Sequence, residues 1–389
     1  MSGTESGALR MRVVYIVNSL GAGGAERHLL ELARDMVRRG HLVWVLALKK
    51  AIKGGAKDLE ADFLEAGTRV MYLKSAGFSD LGMWCCLGFL LRRLRPDILH
   101  SHLPRSDVAA ALVKWVVPGM VWISTIHDAY VKSSYSGHWI VPIFRQLWRR
   151  ADHFIAVSKH TRDWGLTSLG FPLQNVTVIY HGISMGILPE ASSRAPGAPP
   201  QIGCLARFEK RKGQDTLIRA MVDVRKVLPD ARLRLAGSDP NGFSAGLKEL
   251  ARSLSVEDGV DFLGFCATPL EFLRDLDVFV FASTAEGFGI VLLEAMAMKR
   301  PVVSSNIYPI NHIIQDGESG LLVDPDDPRA FAAAIIALLE DSSRRYVMGE
   351  AAHDRCINEF SIEKMLNKTH ELYLSLLRMR ATKTVSNQA

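Results

Sequence analysis

Short apolar, β-branched runs alternate with longer segments of helical periodicity along most of the chain. In the front half, Arg12–Val17, Leu42–Leu48, Arg69–Leu73, Ile98–His100, Val121–Ile126, His153–Val157 and Val176–Tyr180 read as strands. Ala25–Arg39 sets Leu29, Leu30, Leu32, Ala33 and Met36 near i, i+3, i+4 spacing and reads as an amphipathic helix. The segment Ser192–Pro200, dense in Pro, Gly and Ser, interrupts the rhythm and reads as a linker. The alternation restarts with strands Ile202–Leu205, Arg232–Ala236, Val260–Leu263, Val278–Phe281, Pro301–Ser304 and Gly320–Val323. Helical patterns lie at Gly213–Val227, Ala245–Leu254, Ile290–Met298, Pro328–Leu339 and Ile362–Leu377.

Strands alternating with helices predict an α/β protein of two Rossmann-like, doubly wound parallel-sheet domains. The expected bounds are 1–190 and 191–379, with the last helix free to pack back on the first domain and a disordered tail at 380–389. Two such domains on one linker predict a ligand cleft between them, outside the carboxyl ends of both sheets.

Length and composition agree with that division. A chain of 389 residues exceeds one ordinary α/β core. Five cysteines, scattered apart from the adjacent Cys85 and Cys86, show no metal-ligand spacing and suggest reduced thiols in a cytoplasmic protein. The polar start, Met1–Arg12, carries no apolar signal core. The longest apolar stretch, Leu81–Leu91, is well short of the roughly 20 residues a spanning helix needs.

Charge changes the picture in one respect. Residues 1–190 hold 23 Lys and Arg against 15 Asp and Glu, whereas 191–389 hold 24 against 26. A basic front half suits an anionic acceptor or an anionic membrane surface, or is a scattered solvated face. Nucleic acid is not expected, because no RNP-like, helix-turn-helix or zinc pattern accompanies the charge. Within that half, Leu81–Arg95 joins Trp84, Leu87, Phe89, Leu90, Leu91 and Leu94 to Arg92, Arg93 and Arg95. The segment reads as a core-packed helix with a basic last turn, and peripheral contact with an anionic bilayer stays open.

Four segments could carry chemistry. Asn18–Glu26, with Gly21, Gly23 and Gly24, ends the first strand and opens the first helix, where backbone amides suit phosphate. It lacks the third glycine of a dinucleotide fingerprint, because Glu26 stands there. Arg207 to Gly213 follows the first strand of the second domain, and its Arg207 and Lys212 can neutralise a diphosphate. Ser283–Ala295 brackets a Gly-Phe-Gly turn between Glu286 and Glu294, with Phe288 inside it; the amides of Gly289, Ile290 and Val291 open the following helix. Glu294, one turn into an apolar helix, needs a polar partner that sugar hydroxyls would supply. Finally, His100 and His102 end one strand, and His127 with Asp128 ends another. Their spacing gives no support to a zinc site, and His100 reads as structural.

Together these segments resemble the retaining glycosyltransferases of family 4, with the GT-B fold. The resemblance runs through Gly23-Gly24-Ala25-Glu26, Asp97–His102, Ile126-His127-Asp128, Val157-Ser158-Lys159, Val178–Ile183, Arg207 to Gly213, Glu286 to Glu294 and Asp316–Val323. It implies that Arg207 and Lys212 hold the diphosphate of a nucleotide-sugar donor and Glu294 its ribose. It further implies that Glu286 contacts the transferred sugar, that His127 lies beside the reacting centre, and that Gly23 and Gly24 pass near the donor phosphates. His127 and Glu286 are thus the expected catalytic residues; Phe288, Gly289, Ile290 and Val291 complete the donor set.

The resemblance implies sugar transfer to a glycan or lipid-linked acceptor in cell-surface glycan synthesis, with no cofactor. No metal is expected, because Asp275-Leu-Asp277 precedes its strand and Asp324-Pro-Asp326 reads as a turn before a helix. Two departures stand out: Tyr308-Pro309-Ile310-Asn311-His312 replaces an expected glycine pair and a glutamate, and Tyr180-His181-Gly182 replaces Pro-Asn-Gly. A sugar-nucleotide epimerase of similar fold and a non-catalytic nucleotide-sugar-binding homologue are the alternative readings.

Overall fold

The structure, a computed structural model, describes residues 9–21, 23–50, 58–73, 81–117, 119–128, 145–186 and 197–386. It resolves into two compact units, Met1–Ile179 with Leu366–Ala389, and Tyr180–Met365.

Among the described residues the first unit carries a seven-stranded parallel sheet, ordered β3-β2-β1-β4-β5-β6-β7. Its strands are β1 Arg12–Val17, β2 Leu42–Ala47, β3 Arg69–Tyr72, β4 Ile98–His102, β5 Val121–Ile126, β6 His153–Ala156 and β7 Val176–Val178. Helices cover the sheet, so the central strands are buried along nearly their whole length rather than at alternate residues, including the polar His100, Ser101 and His102 of β4. Val13 to Val17 are all buried. Leu87, Leu91, Val113, Trp122 and Phe154 share the core that β1 and β2 feed with Val14, Ile16 and Leu46.

The second unit repeats the pattern with β8 Gln201–Leu205, β9 Arg232–Ala236, β10 Val260–Gly264, β11 Val278–Phe281, β12 Val302–Ser305 and β13 Leu321–Val323. The order β10-β9-β8-β11-β12-β13 is all parallel. Both sheets therefore reverse direction once, between β1 and β4 and between β8 and β11. Ligands of doubly wound sheets bind at that reversal, outside the carboxyl ends of the strands.

The same side-chain device pins both reversals from below. Asp97, just before β4, accepts the Arg12 amide at 2.7 Å, and Asp277, just before β11, accepts the Gln201 amide at 2.7 Å. Each carboxylate satisfies a strand-edge donor that the ladder leaves over. This gives Asp277 a structural role, while Asp275 pairs with Arg274 at 3.0 Å. Asp327 caps the helix Pro328–Glu340 by accepting from the Arg329 and Ala330 amides.

Two sequence expectations meet a different outcome. Most of the linker expected at Ser192–Pro200 lies outside the described residues. The units divide earlier, between Ile179 and Tyr180. The reason is local: Ile183 exchanges backbone hydrogen bonds with Phe360 and Ile362, at 2.9 and 3.0 Å, which commits the segment after Ile179 to the second unit. A Cβ on Gly182 would stand 2.6 Å from the Ser361 carbonyl, so this contact requires glycine. The last helix, Ile362–Ser386, also runs past Arg380, where a disordered tail was expected. No proline or glycine occurs between Ile362 and Ser386 to end its ladder.

The returning helix seals the first unit. The Tyr373 hydroxyl lies 2.5 Å from His100 Nδ1 and donates to Tyr15 at 3.4 Å, and His370 stacks on His41 with their Nε2 atoms 3.0 Å apart. No helix among the described residues is long and apolar enough to cross a membrane.

Candidate functional site

At the β8–β11 reversal the Arg207–Gly213 loop meets the Ser283–Gly289 loop. The Arg211 carbonyl accepts from the Ser283 hydroxyl at 3.0 Å and from the Thr284 amide at 2.8 Å, and the Arg211 guanidinium donates to the Ala285 carbonyl at 3.0 Å. Gly213 makes the approach possible. Its φ is +65°, and a Cβ there would stand 2.1 Å from the Ala282 carbonyl.

That zipper presses Lys212 against Glu286 as a hydrogen-bonded ion pair, with side chains only 12% and 7% exposed. Lys212 Nζ also lies 5.4 Å from the centre of the Phe281 ring. Beneath the pair, burial pushes the Cys204 thiol up to about 12, opposed by Lys212 and reinforced by Glu286. Arg207 is exposed, reaching Glu209 at 3.8 Å. Its loop is held from below by Gln214, whose amide donates to the Arg207 carbonyl at 2.9 Å.

The chain then turns through Gly289 at φ +98° into the helix Ile290–Ala297. No side chain caps this helix and its first turn carries no acid, so its own residues leave the positive end of its dipole uncompensated. Ile290, Val291 and Glu294 are half-buried along it. Phe288 is different: its ring is buried against Tyr180, His181 and Phe360, with centroids 5.2 to 6.0 Å away. Of the expected donor set, Phe288 therefore offers a ligand its backbone and not its side chain. The departure segment joins the same aromatic group, because His312 lies 4.8 Å from Tyr180 and 6.3 Å from Tyr308. Arg355 fixes it by donating to the His312 and Ile313 carbonyls at 2.6 and 2.7 Å.

The β1–β4 reversal of the first unit carries other chemistry. His100 is fully buried, held by Thr125 at 2.6 Å as well as by Tyr373, and burial drives it down to about 3. His102 Nδ1 lies 3.0 Å from His127 Nε2, and burial lowers His127 to about 3 although the residue as a whole is only half-buried. His28 of the first helix, Gly24–Arg38, completes the cluster at 5.4 Å from His127 and 5.8 Å from His102. Burial thus keeps His100 and His127 neutral at ordinary pH. Among the described residues no three His, Cys, Asp or Glu side chains are grouped to hold a metal.

Gly23 starts the Gly24–Arg38 helix at φ −89°, where a Cβ would stand 2.4 Å from Glu26 Oε2. The Glu26 carboxylate thus folds back beside the helix start and supplies negative charge there. A phosphate at Gly23 and Gly24 would have to displace it. Ser106 reaches across the reversal to Asn18 at 3.2 Å, and Leu103 turns β4 into the next helix at φ 76°, a strained conformation for leucine.

Reading the sequence missed His28, Arg211 and Gln214. His28 had a signal, since it stands four residues before Leu32 on the inward face. Arg211 had none, because its role depends on a loop more than 70 residues away, and Gln214 had none, because its contact with the Arg207 carbonyl depends on how their own loop folds back.

Fold and site define a transferase assembled from two Rossmann-like units. Residues 22–186 match the family model Glycosyltransferase Family 4, and residues 190–355 match Glycosyl transferases group 1. The chain is 30% identical over 354 residues to a phosphatidyl-myo-inositol mannosyltransferase of Mycobacterium tuberculosis, covering 85% of this chain and 88% of that protein. It is 28% identical over 358 residues to the lipopolysaccharide core biosynthesis glycosyltransferase LpsE of Rhizobium meliloti, covering 91% and 96%. Its fold matches that of Anabaena HepE, solved in complex with UDP-glucose, at a TM-score of 0.82 and 20% identity, covering 94% of this chain and all of that one. The protein belongs to the group 1, family 4 glycosyltransferases of GT-B fold.

Proposed function

We propose that the protein is a retaining glycosyltransferase that moves a hexosyl group from a nucleotide-diphosphate sugar to a glycan or lipid-linked acceptor in cell-surface glycan synthesis. The carrying observation is the buried Lys212–Glu286 pair at an uncapped helix mouth. Glycosyl transfer passes through an oxocarbenium-like state while negative charge builds on the departing diphosphate. Lys212, Arg207 and the amides of Gly289, Ile290 and Val291 are the groups that stabilise such charge, most effectively where water is excluded.

In the unliganded site the ammonium and carboxylate satisfy each other. Donor binding redirects Lys212 to phosphate and Glu286 to sugar hydroxyls, with Glu294 taking the ribose. His127, neutral at working pH, hydrogen-bonds sugar hydroxyls without carrying charge. The two cations assume the neutralising part that a divalent metal plays in other transferases; Asp275 and Asp277 are committed to Arg274 and to the Gln201 amide. The acceptor class follows the named functions of LpsE and the mannosyltransferase. Five cysteines, none in a disulfide among the described residues, suit a cytoplasmic site of action, with peripheral contact to the inner membrane face.

Thermal shift across UDP-, GDP- and ADP-sugars tests the donor, because a ligand at about 100 times its Kd adds about 2.7 kcal/mol to stability. The expected result is one preferred donor, a product that keeps the donor's anomeric configuration, and turnover unaffected by a chelator. No shift with any donor, or an inverted product, refutes the reading.

A further inference from the structure

We infer that Tyr308 and His312, with the side-chain amides of Asn306 and Asn311, form a pyranose-binding platform at the carboxyl end of β12. Only the identity of the sugar's carrier, nucleotide or acceptor, rests on the proposed function. The rings build outward from the interior of the second unit. Phe288 and Phe360 are buried, and the Tyr180 ring packs 6.0 Å from each. His312 lies 4.8 Å from Tyr180, and Tyr308 lies 6.3 Å from His312. Tyr180, His312 and Tyr308 are only half-buried, so the ladder starts on buried rings and ends on partly exposed ones.

The sheet fixes where the ladder stands. Parallel register sets Ser304 beside Phe281, so the segment 306–312 leaves the same sheet edge as the Ser283–Gly289 loop that carries Glu286. The Asn306 amide donates to the Val323 carbonyl at 2.7 Å, and the Asn311 amide to the Ile307 carbonyl at 3.0 Å. Arg355 holds the far end through the His312 and Ile313 carbonyls. A surface already ordered in this way costs a ligand little conformational entropy on binding.

The residue types select the ligand. C–H bonds on one face of a pyranose meet the negative face of an aromatic ring, while its hydroxyls need partners that both donate and accept. Carboxamides do both. Asn311 Nδ2 donates to Asn306 Oδ1 at 3.1 Å, and both residues are exposed. The Asn306 nitrogen is left to donate to a hydroxyl and the Asn311 oxygen to accept from one. Pro301 to Gln315 contains no Asp, Glu, Lys or Arg, which suits an uncharged ring rather than a phosphate or carboxylate. Ring spacing speaks against a nucleobase. A flat base held between two rings needs them about 7 Å apart. The pairs here are 4.8 and 6.3 Å apart and tilted by 37° and 29°.

Titration of the full chain with methyl α-glucoside, α-mannoside and α-galactoside, followed by NMR of the histidine rings, tests the platform. The His312 signal, identified by its loss in His312→Gln, should shift with at least one glycoside. Tyr308→Ala should weaken that glycoside by about tenfold, and Tyr308→Phe should retain it. A saturating sugar nucleotide expels the glycoside if the platform holds the donor's sugar, and leaves it bound if it holds the acceptor's. Calorimetry with UDP, GDP and ADP should show nucleoside diphosphate affinity unchanged in Tyr308→Ala. A loss of that affinity assigns the rings to the base and overturns the inference. A silent His312 with every glycoside, or undiminished glycoside binding by Tyr308→Ala, also overturns it. Failure of the wild-type chain to bind any nucleoside diphosphate refutes the transferase reading instead, while the glycoside titration still decides the platform.

Discussion

At the β1–β4 reversal the first unit gathers imidazoles and phenols, of which burial keeps His100, His127, Tyr15 and Tyr373 neutral; at the β8–β11 reversal the second gathers an ammonium, a guanidinium and carboxylates. The strand order around the two is the same. Even the helix mouths differ, one filled by Glu26 and the other left open after Gly289. The fold therefore sets where a ligand can sit, and the loop residues set which. A dry neutral pocket can order hydroxyl groups but cannot balance a diphosphate, whereas the second site can.

The largest expected effect tests that division directly. Lys212→Ala removes a cation from the donor side and strands Glu286 as a buried charge. Turnover should fall by about 100- to 1,000-fold and stability by about 3–5 kcal/mol. His127→Ala should lower turnover by about 100-fold while leaving nucleotide affinity unchanged. Steady-state kinetics with nucleotide competition check both; equal loss of nucleotide affinity in the two variants would abolish the contrast.

An intermediate effect follows from the neutral imidazoles. Burial lowers His100 and His127 to about 3 and His153 to about 4, against 6.5 in an unfolded chain. Between those values the unfolded chain takes up protons that the native chain refuses. Stability is thus complete above pH 6.5 and is lost as pH falls, each histidine adding a slope of up to about 1.4 kcal/mol per pH unit. Asp107, raised by burial to about 6 from 3.8, opposes this, whereas burial lowers His41 and His370 as well and adds to it. Urea midpoints from about pH 7.5 to about pH 4.5 measure the slope, and a flat profile would falsify the neutral cluster.

The smallest effect sharpens the role of the last helix. Tyr373→Phe removes the hydroxyl 2.5 Å from His100 and should cost about 1–2 kcal/mol in urea unfolding, with donor binding unaltered. A silent substitution would mean that His100 finds another partner.

Much of this architecture was legible in the order of residues. Continuous apolar runs such as Val278–Phe281, bounded by turn residues, identified the strands because both faces of a parallel strand are buried. The helix Ser342–Phe360 was missed for an equally physical reason. It buries Met348, Gly349, Ala352, Cys356 and Phe360, a narrow stripe with few large apolar side chains, within a strongly charged segment. Its apolar periodicity is too thin to register. The Leu81–Leu94 helix was expected to be core-packed, and it is, but with Phe89 left outside.

Residue order by itself determined the alternation of strand and helix, the repeat of one sheet pattern, and which loops carry glycine, cation and carboxylate. Those are properties of neighbours along the chain, where propensity and periodicity act. Only the tertiary structure decided that Lys212 meets Glu286, that Phe288 turns inward, that His28 joins His102 and His127, and that Tyr373 returns to His100. Each of those contacts joins segments far apart in sequence. It exists because assembling an open parallel sheet and its covering helices brings strand ends and distant loops together, a consequence of packing that no local pattern encodes.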